Sequence, residues 1–243
     1  MAASLRIEDL DAGYGAVRAL DGVSLAVAPG ETVALLGTNG NGKTTLMRCI
    51  LGLLRPARGR ILATIDGQSV ELVGRSPEEI VDLGIAIVPE GRRLFPRLSV
   101  EENLLLGAYR RTARAALRRN LDFCYDAFPR LKERRSQPVG SMSGGEQQMV
   151  ALGRAVMCAP KMLLVDEPSV GLAPILVART IEKIGELKER LGLTVLMAEQ
   201  NFHQAIRIAD RGYVLVHGQV AFQGDSPAAL GDSELVRKFY LGL

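Results

Sequence analysis

Residues 31–54 restrict the fold more than any other part of the chain. They run from ETVALL through GTNGNGKTT at 37–45 into LMRCILGLL. An apolar β-forming run, a glycine-rich turn and a helical pattern in direct succession specify a strand–loop–helix unit. The loop satisfies G-x-x-x-x-G-K-[ST] from Gly37 to Thr44. Gly37, Gly40 and Gly42 permit backbone conformations closed to other residues. The successive N–H groups of such a loop, and the helix N-terminus behind it, offer partial positive charge to phosphate oxygens. Lys43 is placed to reach β- and γ-phosphates and the Thr44 hydroxyl to ligate Mg²⁺, with Thr38, Asn39, Asn41 and Thr45 completing the cradle. A glycine-rich turn with an incidental lysine is the competing reading; strand, spacing and helix together favour the cradle.

The sequence MLLVDEP at 162–168 supplies a second half. A buried strand ending in two adjacent carboxylates is costly unless a cation sits there. Asp166 can hold Mg²⁺, through water or through Thr44, and Glu167 can orient and polarise an attacking water. The alternative is an acidic pair capping a helix that begins near Pro168. Carboxylates of these two kinds beside a phosphate cradle point to nucleoside triphosphate hydrolysis rather than binding alone.

Thirty basic and 27 acidic residues among 243 give a net charge of +3, too balanced for a general nucleic-acid binder. Residues 92–135 hold 12 Lys/Arg against 5 Asp/Glu, so the surplus is local. The three cysteines, Cys49, Cys124 and Cys158, fit neither a disulfide framework nor a zinc site and suit a reducing compartment. The opening MAASLRIEDL meets Arg6, Glu8 and Asp9 before any apolar stretch forms, so it is not read as a secretory leader. No apolar run approaches the ~18 residues of a membrane span.

Strands are expected at 5–9, 22–28, 31–36, 60–66, 85–88, 162–166 and 194–198. The last two are continuous apolar runs of the kind buried on both faces of a parallel sheet. Helices are expected from Gly42 to about Leu54, from about Pro77, and from Val100 to about Ala127. GYVLVHGQVAFQG at 212–224 reads as a hairpin turning at Gly218–Gln219, followed by a short C-terminal helix. Alternating strands and helices imply an α/β fold with a mostly parallel sheet. Residues 91–142, poor in strands and rich in arginine, read as an inserted helical subdomain; residues 1–90 and 143–243 then form the nucleotide-binding core of a single domain.

SMSGGEQQ at 141–148 lies 100 residues beyond Lys43, counted to Ser143. A serine and two glycines opening a helix make an anion site in their own right, and one subunit has no need of a second cradle so far along the chain. In this order and spacing the motifs resemble those of the ABC ATPases over essentially the whole chain. The resemblance implies a P-loop ATPase core with an N-terminal antiparallel portion, ATP and Mg²⁺ as ligands, and a head-to-tail dimer with a second ATPase subunit, identical or not. Ser143, Gly144, Gly145 and Glu146 of one subunit would then face the ATP held by the other.

By the same resemblance Tyr14 stacks on adenine, although a lone tyrosine is as readily a packing residue. Glu90, in VPEGRRLFP, falls in the loop that senses the γ-phosphate and contacts the membrane subunits and is expected among the metal ligands, and Ser169–Pro174 in the segment that crosses to the dimer partner. The helical subdomain is where transmembrane permease subunits dock; Arg110, Arg111, Arg114, Arg118 and Arg119 serve that docking or form a solvated helix face. Two positions depart from the family: Glu90 replaces the usual glutamine and Gln200 the usual switch histidine. His203 is expected inside the next helix, facing elsewhere, and His217 to be structural, in a hairpin on the far side of the sheet order. VPEGRRLFP, AEQN and a terminal FYLG resemble the smaller ATPase of branched-chain amino-acid importers. Such a subunit works at the cytoplasmic face of the membrane and serves a solute-binding protein indirectly. Urea and amide importers, and soluble non-transport ABC ATPases, are the alternatives.

Overall fold

The computed structural model describes residues 3–236; the terminal FYLG lies outside the described residues. The strands are β1 (Ser4–Tyr14), β2 (Val17–Val27), β3 (Thr32–Leu36), β4 (Arg58–Ile65), β5 (Gln68–Glu71), β6 (Ile85–Val88), β7 (Met162–Asp166), β8 (Thr194–Glu199), β9 (Arg211–Val216) and β10 (Gln219–Gly224). They form an antiparallel sheet ordered β2-β1-β4-β5 and a second sheet ordered β10-β9-β3-β8-β7-β6. In the second sheet β6, β7, β8, β3 and β9 run parallel, and β10 returns antiparallel on β9.

The helices are α1 (Lys43–Ile50), α2 (Pro77–Asp82), α3 (Val100–Gly107), α4 (Arg111–Ala115), α5 (Leu117–Ala127), α6 (Pro129–Glu133), α7 (Gly144–Met157), α8 (Pro174–Leu191), α9 (Phe202–Ala205), α10 (Pro227–Asp232) and α11 (Glu234–Val236). The parallel strands separate two cores by their period of two. Val33 and Leu35, Met162 and Leu164, Leu196 and Ala198 pack towards the antiparallel sheet and α1. Ala34 and Leu36, Leu163 and Val165, Val195 and Met197 pack towards the helices on the other face. Burial on both faces is why these strands read as unbroken apolar runs.

Several boundaries differ from the sequence expectations, each for an identifiable reason. Helix α1 stops at Ile50 because Gly52, at φ +69°, closes a C-terminal turn in which Leu53 N–H donates to Arg48 O and Gly52 N–H to Cys49 O. Strand β1 extends beyond 9 through register shifts near Asp9, whose φ is 46°. The short polar strand β5 gave no apolar signal. The hairpin turns at His217–Gly218, one residue earlier than expected, with φ of 49° and 78°.

The single helix expected over 100–127 is three. Gly107 ends α3 where a Cβ would lie 2.0 Å from Arg154 O, so only glycine lets this turn meet α7. Arg110 then leaves the helical path, is buried, and donates from Nη1 to Cys158 O and Ala159 O and from Nη2 to Asp82 O. The solvated-face reading therefore fails for Arg110, whereas Arg111, Arg114, Arg118 and Arg119 are exposed, as a solvated face and a docking surface both require. The three cysteines are free and buried, and burial pushes the Cys49 thiol up to about 11 and Cys124 to about 12. No helix among the described residues is long and apolar enough to cross a membrane.

Candidate active site

The glycine-rich loop joins β3 to α1 at the C-terminal edge of the parallel sheet, where open α/β sheets place their ligands. Gly40 and Gly42 adopt φ of 84° and 97°. At Gly42 a Cβ would also stand 2.6 Å from Ala19 O, so the position is restricted twice over. No side chain caps α1, which leaves its first N–H groups free of side-chain acceptors. Asn41 braces the loop instead: Nδ2 donates to Thr38 Oγ1 at 2.9 Å and Oδ1 accepts from His217 N at 2.9 Å. The β9–β10 turn, at one edge of the sheet order, thus touches the cradle through the backbone of His217.

Lys43 is buried and donates to Gly37 O at 2.7 Å and Thr38 O at 3.1 Å. Its Nζ also lies 3.0 Å from Glu167 Oε1, an ion pair with both side chains more than nine-tenths buried. Gln200 Nε2 donates to Glu167 Oε2. Glu167 follows directly on β7 with φ 47°, a conformation uncommon for a non-glycine residue and concentrated at functional sites. Its N–H donates to Ala198 O at 3.0 Å, which fixes the turn. No helix starts at Pro168; α8 begins only at Pro174, so the acidic pair caps nothing and the capping alternative is excluded.

Thr44 Oγ1 donates to Asp166 Oδ1 at 3.3 Å. Burial above all pushes the Asp166 carboxyl up to about 6; neighbouring Glu167 and Glu90 add to the rise, and the Thr44 hydroxyl and Lys43 oppose it. The Asp166 carboxyl, the Thr44 hydroxyl and the neighbouring Glu90 carboxyl are hard oxygen donors of the kind Mg²⁺ takes. Among the described residues no group of three or more His, Cys, Asp or Glu could hold a metal by itself. The remaining ligands of a Mg²⁺ here would come from phosphate and water, the usual arrangement for that ion.

A cavity of about 420 Å³ is lined by Tyr14, Gly40, Gly42, Lys43, Glu90 and Glu167, among others. Tyr14 is 44% exposed at its rim, and Arg48 Nη1 donates to its hydroxyl at 3.0 Å. Arg48 on α1 was not singled out from the sequence; only the fold sets it beside a tyrosine 34 positions earlier. SMSGGEQQ at 141–148, the signature segment of the resemblance, lies elsewhere. Ser143, Gly145 and Glu146 line a separate groove with α6 and α8. Ser143 caps α7: its hydroxyl accepts from Glu146 N at 3.4 Å and donates to Glu146 Oε2 at 2.8 Å, and its own N–H donates to the same oxygen at 3.0 Å. Glu146 also pairs with Arg134 at 3.1 Å, and the Ser143 hydroxyl leads in holding its carboxyl below the usual range. His203 is exposed on α9 against Phe202, away from this chemistry, as expected.

A sequence profile of the family described as ABC transporter matches residues 20–170. The high-affinity branched-chain amino acid transport ATP-binding protein BraG of Pseudomonas aeruginosa is 47% identical over 98% of this chain and 99% of its own. The probable branched-chain amino acid transport ATP-binding protein LivF of Archaeoglobus fulgidus is 34% identical over 98% and 99% respectively. The crystal structure of the ADP conformation of an ATP-binding cassette of an ABC transporter superposes with a TM-score of 0.83 at 27% identity, each chain covered in full. Matched by the profile over more than half its length, and by full-length relatives in both sequence and fold, the chain belongs to the family of ABC transporter ATP-binding proteins.

Proposed function

We propose that the chain is the ATP-hydrolysing subunit of an importer for branched-chain amino acids, held at the cytoplasmic face of the membrane by permease subunits. The observation that carries the hydrolytic reading is the convergence of Lys43, Glu167 and Gln200 around one buried carboxylate. The solute follows from the full-length likeness to BraG and LivF.

Glu167 is the counter-ion of Lys43. ATP phosphates entering the cradle replace it there, and the released carboxylate accepts a proton from the water that attacks the γ-phosphorus. Gln200 steadies that carboxylate through its amide and can donate a hydrogen bond to the γ-phosphate. Thr44, Asp166 and Glu90 would hold Mg²⁺, which would neutralise charge on the phosphates. Tyr14 stacks on the base. Ser143 and the N-terminus of α7 serve the ATP of a second ATPase subunit, and residues 91–142 form the helical subdomain that carries the resulting motion to the permease.

The test is uptake. Cells lacking this chain lose uptake of labelled leucine, isoleucine and valine; the wild-type chain restores it and Lys43→Ala does not. Unchanged amino-acid uptake with lost urea or amide uptake would reassign the solute.

A further inference from the structure

Glu199 ends β8, opposite Leu36 of β3, and is fully buried. An aliphatic residue would suit such a strand end, whereas a desolvated carboxylate is costly unless it is well satisfied. No lysine or arginine is among its hydrogen-bond partners; it is satisfied by four neutral donors on two loops. Oε1 accepts from Ser169 N at 3.0 Å. Oε2 accepts from Ser169 Oγ at 2.9 Å, Gln200 N at 3.0 Å and Asn201 N at 3.2 Å.

These bonds complete a ring. Ser169 is two residues beyond Glu167 on the segment running to Pro174, and Gln200 follows Glu199 directly. The Gln200 amide reaches back to Glu167 Oε2. Glu167, Ser169, Glu199 and Gln200 are therefore held in one closed circuit, in which only Glu199 bonds to both loops through one side chain. Capping the turn at 200–201 alone would need only a shorter acceptor; the second loop is what the glutamate adds.

We propose that Glu199 is a positioning residue, which sets Gln200 against Glu167 and passes displacements of residues 169–174 to that pair. This rests on the hydrolytic reading of Glu167 and Gln200 given above. Movement of the 169–174 segment pulls on Ser169, and the carboxylate of Glu199 delivers the pull to the backbone of Gln200. Glu199 itself touches no substrate.

The experiment measures steady-state Mg·ATP hydrolysis and equilibrium ATP binding by the full chain. Glu199→Gln keeps the shape but turns one acceptor oxygen into a donor facing the N–H groups of one loop. It is expected to lower kcat by about ten- to a hundredfold with ATP affinity within about twofold of wild type, a split that marks lost organisation of the transition state. Ser169→Ala deletes only a half-buried hydroxyl, leaves the fold intact, and should lower kcat by about threefold. In the Glu199→Gln background it should add nothing further, because the two residues act as one unit. Wild-type kcat in Ser169→Ala or Glu199→Gln overturns the proposal. So does a parallel loss of rate and ATP affinity, or full additivity of the two substitutions. Undiminished hydrolysis in Glu167→Gln would overturn the underlying reading instead, so the two failures are distinguishable.

Discussion

Both the cradle and the signature segment place glycines at the N-terminus of a helix, and the fold finishes the two ends in opposite ways. At α1 no side chain caps the helix, Lys43 is buried, and Glu167, Gln200 and Asp166 close in from β7 and β8. At α7 the helix caps itself: Ser143 and Glu146 form a capping box, and Arg134 holds the glutamate from α6. N–H groups free of side-chain caps, next to a buried lysine and two buried carboxylates, suit a phosphate and its metal. A self-satisfied N-terminus at the surface is stable alone, and it gives up its serine–glutamate bond only when a stronger acceptor arrives. In our reading the first binds ATP within its own chain and the second reaches the ATP that a partner holds.

The sharpest way to break this contrast is at Glu167. Glu167→Gln should cut ATP turnover by about 10²-fold or more, as expected for a lost general base, while ATP affinity stays near wild type. Steady-state hydrolysis that continued unimpaired would remove the carboxylate from the mechanism.

Gln200 comes next. A hydrogen bond to a charged group is worth roughly 1.5–3 kcal/mol, or about 10- to 150-fold in rate if it is fully expressed in the transition state. Gln200→Ala should slow hydrolysis within that range. Gln200→His should remain active and acquire a pH dependence near neutrality, because an imidazole ionises near pH 6.5 and an amide does not. His203→Ala should change little. A large loss there, with an indifferent Gln200→Ala, would move the switch role three residues along.

Smaller again is the effect of protons on Asp166, whose carboxyl stands at about 6. Mg²⁺ needs the ionised form, so apparent Mg²⁺ affinity should fall by about tenfold for each pH unit below 6, measured as the Mg²⁺ concentration that half-saturates hydrolysis. Stability of the metal-free chain runs the other way. The folded-state value lies above the unfolded one, so this group's contribution is fully present below the ordinary carboxylate range and is lost as pH rises through about 6. Asp166→Asn should flatten that part of the stability profile; an unchanged profile would deny the shift.

The cradle and the acidic pair were legible in the sequence because each is a contiguous run whose chemistry is local: GTNGNGKTT on a strand–helix junction and MLLVDEP on a buried strand. Gln200 was legible only through family resemblance. What stayed hidden depends on contacts between distant segments. Arg110 is one arginine among several until Gly107 breaks the helix and turns it inward. Asn41 meets His217 across 176 positions, and Arg48 meets Tyr14 across 34. Glu199 reads as an acidic residue beside a turn until Ser169 is seen on its other oxygen. Within the fold, the parallel strands announced themselves by apolar runs, whereas polar β5 carried no such signal.

The contrast between the two helix ends is tested most directly by equilibrium binding of ATP to the isolated chain in two variants measured side by side. Lys43→Ala should weaken binding by about tenfold or more, since it removes the buried cation of the cradle. Ser143→Arg should leave binding within about twofold of wild type while abolishing ATP-dependent dimerisation and transport, because that serine serves an ATP held by the partner. Collapse of ATP affinity in Ser143→Arg would place the serine in its own chain's site and contradict the account.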